Sequence, residues 1–371
     1  MPKLFCFDNY RAAFVVGALH IIARMKSRLL GGLTPRIFLR RYWQKRALFV
    51  RGALSGFSGV IKLQDLKALA ARDDVESRIV ERCGGRRETL HGPFARVHLK
   101  KTHSTLLVNG VNLHVAAAER LLQRFSFVPQ ARLDDVMVSY ATPGGGVGPH
   151  VDSYDVFLLQ GPGRRAWRVE NKRFVARPGD LLYLPPGVRH DGVALEPCFT
   201  YSIGFRAPRG AELGAAFLDW LHERGLPEAD YRDPGLAPTA RPARLPAEMV
   251  RFSENLLRKI RWSRGDVERF LGEYLSEPKA HVVFRPGGGR RARPAVMRRS
   301  LVRLDAKTRL LYAGARFFIN GETIELDERQ AIPLRELADR RVVPGASLAR
   351  APLAGLISGW QKLGYLDLER T

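Results

Sequence analysis

The pattern of apolar and polar positions changes character along this chain. Thr34-Pro35 precedes Arg36-Ile37-Phe38-Leu39-Arg40-Arg41-Tyr42-Trp43, an N-cap with proline at the first helical position and then spaced apolar residues, which predicts a short amphipathic helix. Between Asp134 and Phe205 the text becomes short β-branched and aromatic runs separated by Gly, Pro and Asp. Val136 to Tyr140, Val156 to Leu159, Ala166 to Val169, Leu181 to Leu184 and Thr200 to Phe205 predict strands. Turn signals stand at Pro143-Gly144-Gly145-Gly146, Gly161-Pro162-Gly163, Arg177-Pro178-Gly179-Asp180 and Pro185-Pro186-Gly187. Strands spaced this closely predict a sandwich or barrel and not alternating strand-helix units. After Pro208 the period turns helical: Leu213, Phe217, Trp220 and Leu221 share one face, as do Met249, Phe252, Leu256, Leu257 and Ile260. Ser263 with Asp266 resembles a capping box that opens a third helix through Leu275. Arg285 to Pro294 reads as a basic Gly-Arg linker. Beyond it, strand-like runs at Ser300 to Leu304, Leu310 to Tyr312 and Arg316 to Ile319, the hairpin signal Asn320-Gly321, and helical Pro333 to Arg340 and Leu353 to Leu363 predict a small α+β module of winged-helix type.

Composition narrows the class. The chain has 371 residues, enough for two or three domains, and 45% hydrophobic residues, enough to fill packed cores. Lys plus Arg number 61 against 37 Asp plus Glu, a net charge of +24, which points to acidic or phosphate-rich partners without identifying them. Cys6, Cys83 and Cys198 form no CxxC pair, which argues against a disulfide scaffold and a structural zinc site and for a reducing, cytoplasmic setting. The longest apolar run, Ala12 to Ala23, is too short to cross a bilayer, is interrupted by His20 and lacks a cleavage signal, so no membrane association is expected. The expected organisation is an N-terminal extension (1–33), a catalytic domain with its own N-terminal helical part (34–208), a helical segment (209–284), a basic linker (285–299) and the winged-helix-like module (300–371).

The sharpest chemical signal is Gly148-Pro149-His150-Val151-Asp152, followed by His190 after Pro185-Pro186-Gly187-Val188-Arg189. On an extended strand, residues two apart project to the same face, so His150 and Asp152 can grip one ion, and a histidine from another strand would complete a facial triad. Two imidazoles and a carboxylate leave open positions on an octahedral ion, as ferrous iron needs for substrate and dioxygen; the absence of thiolate favours iron or manganese over structural zinc. An H-x-D triplet alone is common on protein surfaces; the turns that deliver both pieces to strand starts, where barrel mouths carry ligands, raise its weight. Arg164 and Arg165 are adjacent on an expected strand and so face opposite ways. A guanidinium inside a barrel needs an anion, and Arg165, which shares a face with Trp167, is the inward candidate; the plainer alternative is a surface ion pair.

These motifs carry a family resemblance. The run from Asp134-Asp135-Val136-Met137-Val138-Ser139 through Pro143 to Phe157, with Gln160-Gly161, Arg164-Arg165-Ala166-Trp167, Pro178-Gly179-Asp180, His190-Asp191-Gly192 and Tyr201 to Pro208, resembles the bacterial YcfD-type ribosomal oxygenases, which are JmjC-type cupins. Tyr42 to Arg46 and His91-Gly92-Pro93-Phe94 extend the likeness. The resemblance implies an α+β fold in which a double-stranded β-helix (cupin/JmjC) barrel is followed by a helical segment and a C-terminal winged-helix-like module. It implies Fe(II) held by His150, Asp152 and His190, with 2-oxoglutarate and dioxygen as cosubstrates. Arg165 falls where the family binds the distal carboxylate of 2-oxoglutarate; from the sequence itself Ser202 is a further candidate for the keto acid, with the choice between it and Tyr201 left open. The implied reaction is hydroxylation of the β-carbon of an arginine in a large-subunit ribosomal protein, by a homodimer built on the helical region. One departure stands out: ten residues separate Trp167 from Pro178, where the bacterial type carries a longer segment, which bears on the protein target more than on the chemistry.

An arginine substrate predicts a locally acidic mouth, for which Asp134, Asp135 and Asp155 are the substrate-binding candidates, with Asp191 beside them. Two rival readings remain open. One is a cupin and winged-helix protein that binds RNA or DNA without oxygenase activity through Arg290, Arg291, Arg293, Arg298 and Arg299, and contact with ribosomal RNA is compatible with either reading. The other is a manganese- or zinc-dependent isomerase or hydrolase on the same barrel. Histone demethylation fits the motifs less closely than ribosomal hydroxylation.

Overall fold

Helix α1 (Pro35–Arg41) begins as its sequence predicts: Thr34 accepts a hydrogen bond from the Ile37 N–H at 3.3 Å, Pro35 sits at the first turn, and Phe38 is fully buried. It belongs to a computed structural model in which residues 29–83, 86–286 and 293–370 are described. Cys6, the apolar run Ala12 to Ala23, most of the expected N-terminal extension and the centre of the Gly-Arg linker, with Arg290 and Arg291, lie outside the described residues. The chain divides into two units, one holding the residues up to Ala207 with Lys279–Arg285 and Asp305–Lys307, the other the remainder.

In the first unit, strands β1 (Leu48–Val50), β2 (Ser77–Cys83), β3 (Arg86–His91), β4 (Ser104–Val108), β5 (Leu133–Ala141), β6 (Val156–Gln160), β9 (Leu181–Leu184) and β11 (Cys198–Phe205) build an antiparallel sheet in the order β1-β9-β6-β11-β5-β4-β2-β3. Strands β7 (Arg165–Val169), β8 (Lys172–Ala176) and β10 (His190–Ala194) form a second sheet, ordered β10-β7-β8. Sheets covered on both faces have strands that read as continuous apolar runs, and β6 is one. Its Phe157 and Leu159 pack with Phe38, Phe125, Tyr183 and Tyr201 in a core that also takes in α1, α2 (Leu63–Ala70) and α3 (Ala116–Gln123). Its Val156 and Leu158 pack with Trp167 and Val169 of the second sheet. Full burial of each large apolar side chain in these layers contributes about 1.5–3 kcal/mol. Between the sheets lies a cavity of about 660 Å³.

Every strand expected between Asp134 and Phe205 is present, with β5 and β11 longer at their N-terminal ends than the hydrophobic pattern suggested. The short loop after Trp167 is the β7–β8 hairpin, which turns at Glu170 in the left-handed region (φ 50°).

In the second unit, α4 (Gly210–Glu223), α5 (Ala247–Leu257) and α6 (Arg264–Ser276) realise the three helical periods. The Ser263/Asp266 capping box forms in both directions, at 2.7 and 3.2 Å. Trp220, Leu221 and Phe270 make the local core with Phe217 against them, so Trp220 serves packing within the chain. The remaining part has sheets β16-β12-β17 and β13-β14-β15, built from β12 (Ser300–Leu304), β13 (Leu310–Ala313), β14 (Arg316–Ile319), β15 (Glu322–Glu325), β16 (Val342–Pro344) and β17 (Leu366–Arg370). Around them stand α7 (Pro294–Met297), α8 (Glu328–Arg340) and α9 (Leu353–Lys362). Asn320 and Gly321 both have positive φ, as the hairpin turn between β14 and β15 requires. Two expectations shift: Met297 is fully buried on α7, and α8 begins at Glu328, capped by Asp327, so that Pro333 lies inside the helix and not at its start.

Candidate functional site

Local backbone geometry brings the two distant pieces of the triad together. His150 is not on a regular strand, as its spacing from Asp152 suggested; it forms a single antiparallel bridge with His190, with N–H to O distances of 3.0 Å each way. The glycine turn before it is pinned to the end of β10 by Gly144 N–H to Ala194 O (2.8 Å) and Ala194 N–H to Gly145 O (2.9 Å). A Cβ on Gly146 would lie 2.3 Å from the Gly192 carbonyl oxygen, so only glycine fits there. Gly187, at φ +84°, donates its N–H to Asp152 O at 2.9 Å and ties the Pro-Pro-Gly turn to the Asp152 backbone.

The side chains converge. Asp152 Oδ1 lies 3.7 Å from His150 Nε2, Asp152 Oδ2 lies 3.7 Å from His190 Nε2, and one donor atom from each residue falls within 4.8 Å of the other two. Among the described residues this is the one such group of three potential metal ligands. His150 Nδ1 faces Gly148 O at 2.9 Å and His190 Nδ1 faces Val188 O at 3.0 Å. A carbonyl oxygen can only accept, so each contact favours the tautomer with the proton on Nδ1 and leaves the Nε2 lone pair for the triad, the arrangement that orients metal-binding imidazoles. Burial holds the His190 imidazole below its ordinary range, with His150 adding in the same sense, so the ring stays neutral and able to donate.

Arg165 lies on the same inner face. On β7 it is 5% exposed, and its guanidinium stands 5.8 Å from the Trp167 ring centroid, whereas Arg164 points outward to Glu196 at 2.9 Å. Arg165 Nε and Nη2 are buried with no hydrogen-bond partner. A buried cationic fork with orphaned donors is costly alone and fits a carboxylate ligand. Opposite it, alternation on β11 turns Thr200, Ser202 and Gly204 to the cavity, while Tyr201 is directed into the core, its hydroxyl accepting from Val60 N–H at 3.1 Å. Ser202 therefore faces the same space as Arg165, and Tyr201 does not.

The acidic candidates separate. Asp134 and Asp135 both line the cavity, beside a register shift between Ile203 and Phe205 on the neighbouring strand. Asp135 accepts the Gly110 N–H at 2.8 Å, and burial, reinforced by Asp134, pushes its carboxyl above the usual range. Asp155 does not belong to this wall. It is fully buried and accepts from Tyr183 Oη (2.6 Å), Gln44 Nε2 (3.0 Å) and Arg132 Nη2 (3.3 Å), so its carboxylate is satisfied internally and out of reach of a substrate. Asp191 alternates away from His190 and does not line the cavity. Residues not anticipated from sequence also line it: Arg78 and Arg87 from the β2–β3 hairpin, His91, Tyr154 and Lys279. The hairpin residues could have been found only by recognising β2 and β3 as strands, and nothing in the text marks Lys279.

Similar proteins bear on this site. A JmjC domain model matches residues 120–176 and 171–213, and a model of the ROXA-like winged helix matches 259–367. The ribosomal protein uL16 3-hydroxylase of Escherichia coli (strain K12) is 36% identical over 324 residues, spanning 80% of this chain and 86% of that protein. A probable ribosomal oxygenase of Haemophilus influenzae is 36% identical over 208 residues, 49% of this chain and 52% of that protein. Among solved structures, the E. coli ribosomal oxygenase YcfD in complex with cobalt and 2-oxoglutarate superposes with a TM-score of 0.78 at 33% identity, covering 91% of this chain and 98% of that one.

Proposed function

Since this chain belongs to the JmjC family of ribosomal oxygenases, we propose that it is an Fe(II)- and 2-oxoglutarate-dependent hydroxylase of an arginine β-carbon in the large-subunit ribosomal protein uL16. In that reading His150, Asp152 and His190 hold the iron, and the keto acid enters with one carboxylate toward Arg165 and Ser202. The carrying observation is Arg165, whose buried Nε and Nη2 lack partners beside a triad of inward-facing donors. Bound iron with the keto acid would supply the oxygen activation and hydrogen abstraction that protein side chains cannot.

The protein's own part is orientation and exclusion of water. The Gly148 and Val188 carbonyls keep both Nε2 atoms aimed inward, and Val156, Leu158 and Trp167 give the cavity an apolar floor. Asp135, and Asp134 beside it, hold the substrate guanidinium, whose planar fork matches a carboxylate. No side chain needs to remove a proton from the attacked carbon, which fits a cavity whose His–carboxylate pairs, among the described residues, are those of the triad. The winged-helix module and the charge of +24 support contact with ribosomal RNA around the substrate, in the cytoplasm. No described helix is long and apolar enough to cross a membrane. A homodimer is supported by α5, where Met249, Val250 and Leu257 stand exposed along a shallow groove with Leu245; light scattering should give twice the monomer mass, and a monomer at micromolar concentration overturns it.

The test of the reaction is incubation with Fe(II), 2-oxoglutarate and a uL16 fragment, followed by mass spectrometry. The expected result is a gain of one oxygen on arginine, absent with His150→Ala; an unmodified fragment under conditions where 2-oxoglutarate binds would overturn the proposal.

A further inference from the structure

We propose that Lys279 is a built-in stand-in for the substrate cation, held on Asp134 in the free protein and displaced when the substrate arginine enters; this deepens the hydroxylase reading and rests on it. Lys279 Nζ lies 3.1 Å from Asp134 Oδ1 and 3.2 Å from Oδ2, and lines the same cavity as the triad and Arg165. Arg206 Nε approaches Asp134 Oδ1 at 3.5 Å. Asp135, next in sequence, has no ion-pair partner among the described residues and takes only the Gly110 N–H. Gly204 leaves room beside both carboxylates, since a Cβ there would stand 3.5 Å from Asp135 Oδ1 and 4.0 Å from Asp134 Cβ.

Charge balance makes the pair a device. Around Asp134 and Asp135 two carboxylates face two cations, Lys279 and Arg206, so a guanidinium arriving at that wall leaves an excess positive charge there, with Arg78, Arg87 and Arg165 elsewhere on the lining adding to it, unless one resident cation withdraws. Arg206 is the less able to withdraw, with 17% of its side chain exposed. Lys279 can: its side chain is 37% exposed, and a four-carbon stem carries its charge back into water. The exchange favours arginine over lysine as substrate, because a planar fork satisfies the carboxylate oxygens with two directed bonds while an entering ammonium only replaces an equivalent one. Lys279 is thus a specificity residue and touches no reacting atom.

The experiment measures binding of a fluorescently labelled uL16 fragment to the full chain by anisotropy, with the reactive arginine or with citrulline, its neutral isostere, in its place. Removing the competitor by Lys279→Met should tighten binding of the arginine fragment about three- to tenfold at low salt. The citrulline fragment should gain nothing, and Lys279→Arg should bind the arginine fragment no better than the parent. An unchanged or weakened affinity in Lys279→Met, or an equal gain with citrulline, refutes the role of Lys279. A parent protein that does not distinguish the two fragments removes the arginine reading and this role together, whereas a preserved preference with no effect at Lys279 removes the stand-in alone. Unfolding midpoints of the two variants check that the change lies in the cavity.

Discussion

At the scale of single residues, cost and use coincide at Arg165. Its orphaned donors destabilise the free protein, since a buried unsatisfied polar group costs about 1–3 kcal/mol. Arg165→Met should therefore raise the unfolding midpoint of the metal-free protein while raising the apparent KM for 2-oxoglutarate at least about tenfold, as a charge-assisted bond lost from a dry site would. A variant less stable than the parent, with 2-oxoglutarate affinity unchanged, would show that the guanidinium serves packing. Its inward direction was legible because neighbours on a strand alternate, so one of Arg164 and Arg165 had to turn in. Asp155 was not legible: its partners Gln44, Tyr183 and Arg132 lie 111, 28 and 23 residues away, and only the folded chain reveals that its charge is used up. Asp155→Ala should cost about 3 kcal/mol in urea unfolding, as breaking a buried pair from one side does; a loss below the error of that measurement would mean the network is dispensable.

Among elements, the site depends on how the glycine turn before His150 meets β10. Gly146→Ala would drive a methyl group to 2.3 Å from the Gly192 carbonyl, on the strand that carries His190, so the bridge between the two histidines must shift. Metal affinity, read by titration with manganese or cobalt, should fall at least about tenfold, because ligand geometry tolerates little displacement. Gly56→Ala makes the control: nothing lies within 4 Å of the added methyl, its φ of +71° confines the penalty to backbone strain of about 1–2 kcal/mol, and it does not line the cavity. Equal metal affinities in the two variants would sink the argument. The turn glycines were visible in the text, and so were β6 and β9, whose both faces are covered. Strands β1 to β4, β8 and β10 were not, although β4 is as fully buried as β6. Arg86–His91 is exposed throughout, Lys172–Ala176 is charged at its start, and His190–Ala194 holds Asp and Gly, so these segments are extended because a neighbour pairs with them and not by their own propensity.

For the molecule as a whole, the change of period at Pro208 announced a second body, yet no pattern marks Lys279–Arg285 and Asp305–Lys307 as parts of the barrel unit; tertiary contact alone assigns them. Those segments matter for global stability through His114. Burial holds its imidazole down at about 4, Arg72, Lys307 and His281 push the same way, and Asp74 opposes them. The unfolded chain titrates this histidine near pH 6.5. Between pH 6.5 and 4 the unfolded state therefore binds a proton that the folded state refuses, and stability falls as the pH drops through that window. The full shift would be worth about 3 kcal/mol, and partial solvent access reduces it to on the order of 2 kcal/mol. Asp74, held below the usual carboxylate range by Arg72, adds to acid lability only below about pH 4. Asp135, raised by burial, acts with the opposite sign, its proton favouring the folded state in acid. Urea unfolding at pH 7 and pH 4.5 separates these terms, because His114→Gln should remove most of the loss between the two values while leaving stability at pH 7 within about 1 kcal/mol of the parent. If the substituted chain loses stability as steeply as the parent, the acid sensitivity belongs to other groups and the buried imidazole is stable for reasons of packing alone.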